Sequence, residues 1–91
     1  MRLAFRHKGL QAFAKTGSAA GITPSHAARL RQCLDQLAHA RSLEDVGRDV
    51  HPMSVGSAFS GQWAMKVTAQ WRIVFAVDGD TCRNIDYVNY H

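Results

Sequence analysis

Arg72, Tyr90 and His91 are the residues whose types and placing suggest chemistry, with His51 as a fourth candidate. Arg72 sits inside an alternating run, Trp71-Arg72-Ile73-Val74-Phe75-Ala76-Val77, where an unpaired charge would be costly if buried. Two readings stand for it. One is a half-exposed cross-strand salt bridge with Asp86, worth about 0–1 kcal/mol. The other is a guanidinium clamp for a phosphate on an open sheet face. Tyr90 and His91 read either as a packed tyrosine and a solvated histidine or as an acid–base pair beside the arginine, because imidazole titrates near neutrality. His51, just before Pro52, carries the same two readings and belongs at a strand edge or in a loop. His7, His26 and His39 read as structural or exposed. No histidines show paired zinc spacing, and neither a glycine-rich phosphate loop nor a Gly-x-Ser-x-Gly elbow is present. The expectation is a site without metal or cofactor.

The stretch that must position these groups is Gly61 to His91. Trp63, Met65 and Val67 alternate with Ala64, Lys66 and Thr68. After the polar break Thr68-Ala69-Gln70, Trp71, Ile73, Phe75 and Val77 alternate with Arg72, Val74 and Ala76. Asp78-Gly79-Asp80 is a turn, since glycine adopts positive φ cheaply and aspartate supports tight local hydrogen bonding. Ile85 and Tyr87 resume the apolar set beyond it. The pattern predicts three antiparallel strands in a meander. A three-residue loop would set Val77 opposite Thr81, Ile73 opposite Ile85, Trp71 opposite Tyr87 and Arg72 opposite Asp86, keeping the apolar side chains on one face. The second face would then carry Arg72, Val74, Asn84, Asp86, Val88 and Tyr90, and it is the expected working surface.

The first half supplies helices. Arg2 to Phe5 is long enough for a first strand. Gly9 to Thr16 places Leu10, Phe13 and Ala14 at helical spacing, with Gly17 as its C-terminal cap. Thr23-Pro24 opens a longer helix to about His39, Thr as N-cap and Pro in the first position. Ala27, Leu30, Leu34 and Leu37 form its apolar stripe, joined by Cys33, while Arg29 and Arg31 fall outside it. Solvated helix charges or a partner surface both account for those two arginines. Ser42-Leu43-Glu44-Asp45 resembles a capped single turn closed by Gly47. Ser54 to Gly61, small and glycine-rich, reads as a flexible loop. Helices first and sheet afterwards, in the order β-α-α-β-β-β, predict one α+β domain over residues 1–91, its two N-terminal helices packed on a small antiparallel sheet.

Composition narrows the class further. The 91 residues carry eleven Lys and Arg against seven Asp and Glu, a net charge of +4 that makes a polyanionic partner plausible. Eight of the eleven basic residues are arginine, suited to bidentate phosphate contacts. An apolar fraction of 46% argues against disorder. Cys33 and Cys82 lack metal-type spacing and read as free thiols of a reducing compartment. Nothing approaches the roughly eighteen apolar residues of a membrane span, and no signal-peptide pattern follows Met1-Arg2, so a soluble cytoplasmic protein is expected.

With these residues in place, the chain resembles the HigB branch of the RelE-like toxins, also called plasmid maintenance system killer proteins. The resemblance rests on FRHKGLQAFAKTGSAAGITPSHAARLRQCLDQL, HPM, GQWAMKV, WRIVFAVDGD and IDYVNYH, which follow one another in family order. It implies a microbial RNase fold and a type II toxin that cuts messenger RNA on the ribosome, using the ribose 2′-hydroxyl as nucleophile without metal. It also implies a HigA-like helix-turn-helix antitoxin as partner, and operator DNA bound through the toxin–antitoxin complex. Carried over by position, His51, Arg72, Tyr90 and His91 match the family's catalytic places. Arg72 would meet transition-state charge, His91 would transfer protons with Tyr90 orienting or stacking, and His51 would supply a second acid–base or positioning group. Lys66 and Asn84 are candidate substrate-binding residues. The sequence departs from the family where His-Pro-Leu is commonly followed by Lys-Gly: here Met53 precedes Ser54-Val55-Gly56. Lys66 on the next strand is the available substitute. The departure also motivates an alternative, a catalytically weak or inactive RNA- or ribosome-binding module whose main role is antitoxin binding and co-repression.

Overall fold

The computed structural model describes residues 1–53 and 61–89. Strand β1 (Arg2–Phe5) leads into helix α1 (Lys8–Thr16), then a 3₁₀ turn (Pro24–His26) runs into helix α2 (Ala27–His39). A one-turn helix α3 (Leu43–Val46) precedes the strands β2 (Val50–Pro52), β3 (Trp63–Lys66), β4 (Trp71–Asp78) and β5 (Thr81–Asn89). The expected loop over Ser54 to Gly61 falls largely outside the described residues.

Local chemistry explains most of the boundaries. The Leu10 N–H donates to His7 Nδ1 (2.9 Å), so a histidine caps α1 in the place usually taken by Ser or Asp. Gly17 ends the helix at φ 80°, its N–H donating to the Phe13 carbonyl at 2.9 Å, as its position predicts. Thr23, expected to cap the long helix, makes no side-chain cap bond; Pro24 instead fixes a 3₁₀ turn, and α-helical geometry begins at Ala27. Gly47 follows α3 at φ 81°, as anticipated, while Ser42 makes no side-chain cap.

The sheet has five strands in the order β1-β5-β4-β3-β2. Strands β3 to β5 form the expected three-stranded antiparallel meander; β2 extends it as a further antiparallel edge strand, and β1 adds parallel to the far side of β5. Pro52 is tolerated because β2 is an edge strand. One face of the sheet carries the core. Leu10 and Phe13 of α1 and Leu30, Cys33, Leu34 and Leu37 of α2 pack with Met65, Ile73, Phe75, Cys82, Ile85 and Tyr87. Both cysteines are free, as their spacing indicates. Among the described residues no helix is long and apolar enough to cross a membrane.

The β4–β5 hairpin differs from the expected register. Asp78 pairs with Thr81, so the turn has two residues, and Gly79 takes its first place at φ 61°, as a type II′ turn requires. Val77 therefore faces Cys82. Continued unbroken, that register would set Ile73 against Asp86 and turn the apolar set of β5 away from the core. A bulge prevents this: between the pairs Ala76–Arg83 and Val74–Asp86, Phe75 is opposed by both Asn84 and Ile85. Asn84, at φ 54°, is the only non-glycine with positive φ among the described residues. Beyond the bulge Ile73 faces Tyr87, Trp71 faces Asn89 and Arg72 faces Val88. These partners replace Ile85, Tyr87 and Asp86. The offset is even there, so these side chains keep their expected faces, whereas ahead of the bulge the one-residue shift turns Cys82 into the core.

Candidate functional site

The face of the sheet away from the helices gathers the polar groups. On β3, Ala64 and Lys66 turn outward between core-facing Trp63 and Met65; on β4, Arg72 and Val74 do so between Trp71, Ile73 and Phe75. Two rows cross this face. Lys66 lies opposite Arg72 and Arg72 opposite Val88; His51 lies opposite Ala64, Ala64 opposite Val74 and Val74 opposite Asp86. Directly opposed residues have Cβ atoms about 5 Å apart, so the two cations are immediate neighbours. His51 and Asp86 sit three strand spacings apart, roughly 14 Å, on either side of a floor made by Ala64 and Val74. That floor is 6% and 1% exposed although neither residue belongs to the core cluster.

Arg72 is half-buried and does not pair with Asp86. Its Nη1 donates to the carbonyl oxygens of Thr68 and Trp71, the latter at 3.0 Å. Asp86 Oδ1 accepts from the Tyr87 N–H at 2.9 Å. The ion pairs among the described residues are Arg2–Asp80 at 4.0 Å and Arg83–Asp78 at 3.6 Å, both away from this face's centre. The register explains the lost salt bridge, because it moves Asp86 one row along from the arginine. Lys66 and His51 are both exposed. Among the described residues the Lys66 ammonium has no hydrogen-bond or ion-pair partner. A third cation stands nearby, since Arg29 Nε donates to the Lys66 carbonyl at 2.9 Å.

Of the six residues singled out from the sequence, the fold brings His51, Lys66 and Arg72 onto one face. Asn84 sits exposed on the bulge, three positions along from Arg72 and past the row of Asp86, where its main-chain conformation has a structural purpose of its own. Tyr90 and His91 lie outside the described residues. Among the described residues no group of three or more His, Cys, Asp or Glu side chains converges on a common point.

Sequence reasoning missed what holds the face from behind. His26 Nδ1 is hydrogen-bonded to the Tyr87 hydroxyl, and its ring meets Trp71 edge-on at 5.7 Å. Trp71 and Tyr87 stack at 4.5 Å, and His7 approaches Tyr87 edge-on at 5.6 Å. The strand that presents Arg72 is thus pinned from α1 and the turn before α2. Arg31, left open between solvent and a partner, is a strut between helices: its Nη2 donates to the Phe13 carbonyl at 2.9 Å and its guanidinium lies 4.7 Å from the Phe13 ring centre. Only Thr68, three residues ahead of Trp71 in a polar break, offered a readable hint of a side-chain-closed turn.

A family model described as "RelE-like toxin of type II toxin-antitoxin system HigB" matches residues 3–91. The chain belongs to this HigB-like toxin family. A curated relative, "Endoribonuclease HigB" of Proteus vulgaris, is 27% identical over 90 residues, covering 96% of each chain. Solved structures share the fold at lower identity. A chain of the YoeB–YefM complex from Staphylococcus aureus superposes with a TM-score of 0.61 at 16% identity, covering 100% of this chain and 97% of that one. The YoeB/ParE toxin from Agrobacterium tumefaciens gives 0.60 at 14% identity, with coverages of 100% and 99%. These likenesses bear out the HigB resemblance and the α+β architecture.

Proposed function

We propose that this HigB-like toxin is a messenger-RNA endoribonuclease acting on translating ribosomes in the cytoplasm. The observation that carries the proposal is the Lys66–Arg72 pair on the outer face. Like charges directly opposite one another across strands are destabilising. The pairing becomes favourable when an anion sits between them, and a backbone phosphate has the charge and the oxygens to do so. The named activity of the Proteus vulgaris relative supports the same reading.

The cut proceeds without metal. A base takes the ribose 2′-hydroxyl proton, the freed oxygen attacks the adjacent phosphorus, and the bond to the 5′-oxygen breaks as that oxygen is protonated. A 2′,3′-cyclic phosphate and a 5′-hydroxyl result. Arg72 and Lys66 meet the charge that builds on the non-bridging oxygens, the term that dominates such barriers. Lys66 thereby takes the place of the family lysine absent after Met53. His91, with Tyr90 orienting or stacking, and His51 across the Ala64–Val74 floor are the proton-transfer candidates. Asn84 lies too far along β5 for the same phosphate and would touch a neighbouring nucleotide.

A helix-turn-helix antitoxin of the HigA kind is the inferred partner, and their complex is inferred to bind operator DNA. The structural neighbour solved as a YoeB–YefM complex supports an antitoxin partner. Primer extension on messages in a translating system tests the nuclease directly. Discrete cleavage ends that vanish with Arg72→Ala are expected; translational arrest over intact messages would overturn it in favour of a non-cleaving ribosome-binding module.

A further inference from the structure

The β3–β4 turn is built around one side chain. Thr68 Oγ1 accepts from the Gln70 N–H (3.3 Å) and the Trp71 N–H (3.2 Å), closing a short turn of the kind a threonine hydroxyl can nucleate. The Trp71 carbonyl in turn accepts from the N–H groups of Val67 (3.0 Å) and Thr68 (3.2 Å). As a result the Thr68 and Trp71 carbonyls converge, and both accept from Arg72 Nη1.

We propose that Thr68 is a positioning residue for Arg72, orienting the guanidinium for phosphate through the turn it closes. Nη1 carries two hydrogens and the turn supplies two acceptors, so that nitrogen is fully used. What remains is the Nε–Nη2 edge, whose parallel N–H groups match two oxygens of one phosphate. An arginine is otherwise free about four torsions, and fixing it beforehand removes an ordering cost from the transition state. Trp71, whose carbonyl forms half of the seat, is itself held by its stack on Tyr87 and the edge of His26. Thr68 touches no substrate in this scheme and acts only through Arg72.

The proposal rests on the phosphate role given to Arg72 above, so its test has an arm that needs no RNA. In Thr68→Val the acceptor oxygen is gone while the side-chain shape is kept; Thr68→Ser keeps the oxygen. The full-length chain labelled with ¹⁵N is followed by its Arg72 guanidinium resonances, and message cleavage is timed in a reconstituted translation system. In the wild type and Thr68→Ser, the Arg72 Nη resonances are expected to be distinct, reporting hindered rotation. In Thr68→Val they are expected to average, while cleavage slows by as much as ~10²-fold with half-saturation unchanged. In an Arg72→Lys background, Thr68→Val is expected to add no further loss. Cleavage at the wild-type rate by Thr68→Val, or distinct Arg72 resonances surviving in it, would overturn the positioning role. A wild type that never cleaves would refute the nuclease reading alone, and the resonance arm would still decide on Thr68: averaged signals in the wild type would overturn it.

Discussion

Gly9 and Gly21 meet main chain to main chain. A Cβ built on Gly9 would fall 2.6 Å from the Gly21 carbonyl oxygen, and one on Gly21 would fall 2.5 Å from the Gly9 Cα. Neither neighbour is a flexible side-chain end that can swing away. Gly→Ala inside a helix is ordinarily stabilising by up to about 1 kcal/mol. Here the clash wins: Gly9→Ala is expected to lower stability by about 1–3 kcal/mol, the cost of overpacking. Thermal unfolding followed by circular dichroism checks the sign, and a raised melting temperature would contradict the close approach.

If Lys66 and Arg72 hold phosphate as proposed, they set stability against activity. Removing one of two opposed cations relieves repulsion, so Lys66→Thr is expected to raise stability by about 0.2–1 kcal/mol. The same change removes the proposed phosphate contact and is expected to slow message cleavage by at least tenfold, a loss of roughly 1.4 kcal/mol of transition-state stabilisation. Urea unfolding and cleavage assays on one preparation test both halves, and the increment in stability should shrink as salt is added.

Asn84 holds a left-handed conformation that β-branched residues avoid. Asn84→Gly is expected to leave stability unchanged or slightly higher, whereas Asn84→Val should cost about 1–2 kcal/mol. The second variant should also loosen the pairing of Ile73 with Tyr87, seen as faster amide exchange on both strands. Equal stability for the valine and glycine variants would show that the bulge does not depend on this residue.

Burial pushes the Cys82 thiol up from 9.0 to about 11, only partly opposed by the nearby chain amino group. The folded state therefore holds the proton more tightly than the unfolded one. This contribution is fully present below pH 9.0 and is lost as pH rises toward about 11, amounting to of order 2–3 kcal/mol. Unfolding measured across that window should show a falling stability that Cys82→Ala flattens. Native-state thiol titration at pH 8 should find both buried cysteines slow to react.

Much of this molecule is legible in the residues because the deciding forces are local. The apolar stripe of α2, the Gly17 cap and the alternation of β3, β4 and β5 each follow from neighbours a few positions away, and each appears where spacing puts it. The outward facing of Arg72 and Lys66 follows from the same alternation, whereas His51 joins them only through the pairing of β2 with β3. The partner of Arg72 does not follow from alternation either. Alternation specifies which side of a strand a residue faces but not how many residues separate it from its opposite number. The two-residue turn and the bulge at Asn84 shift the count while preserving the faces beyond the bulge. The parallel seat of β1 against β5 is likewise a contact between distant parts of the chain, invisible to any local pattern.

That seat has a consequence for how the protein comes into being. β5, made last among the described strands, lies between β1 and β4, so its neighbours cannot both be satisfied until it arrives. The five-stranded sheet therefore cannot close until β5 has been made, and such distant pairings assemble slowly. A chain cut short of Thr81 lacks the strand on which both β1 and β4 lean, and its edges stay open to whatever strand they meet.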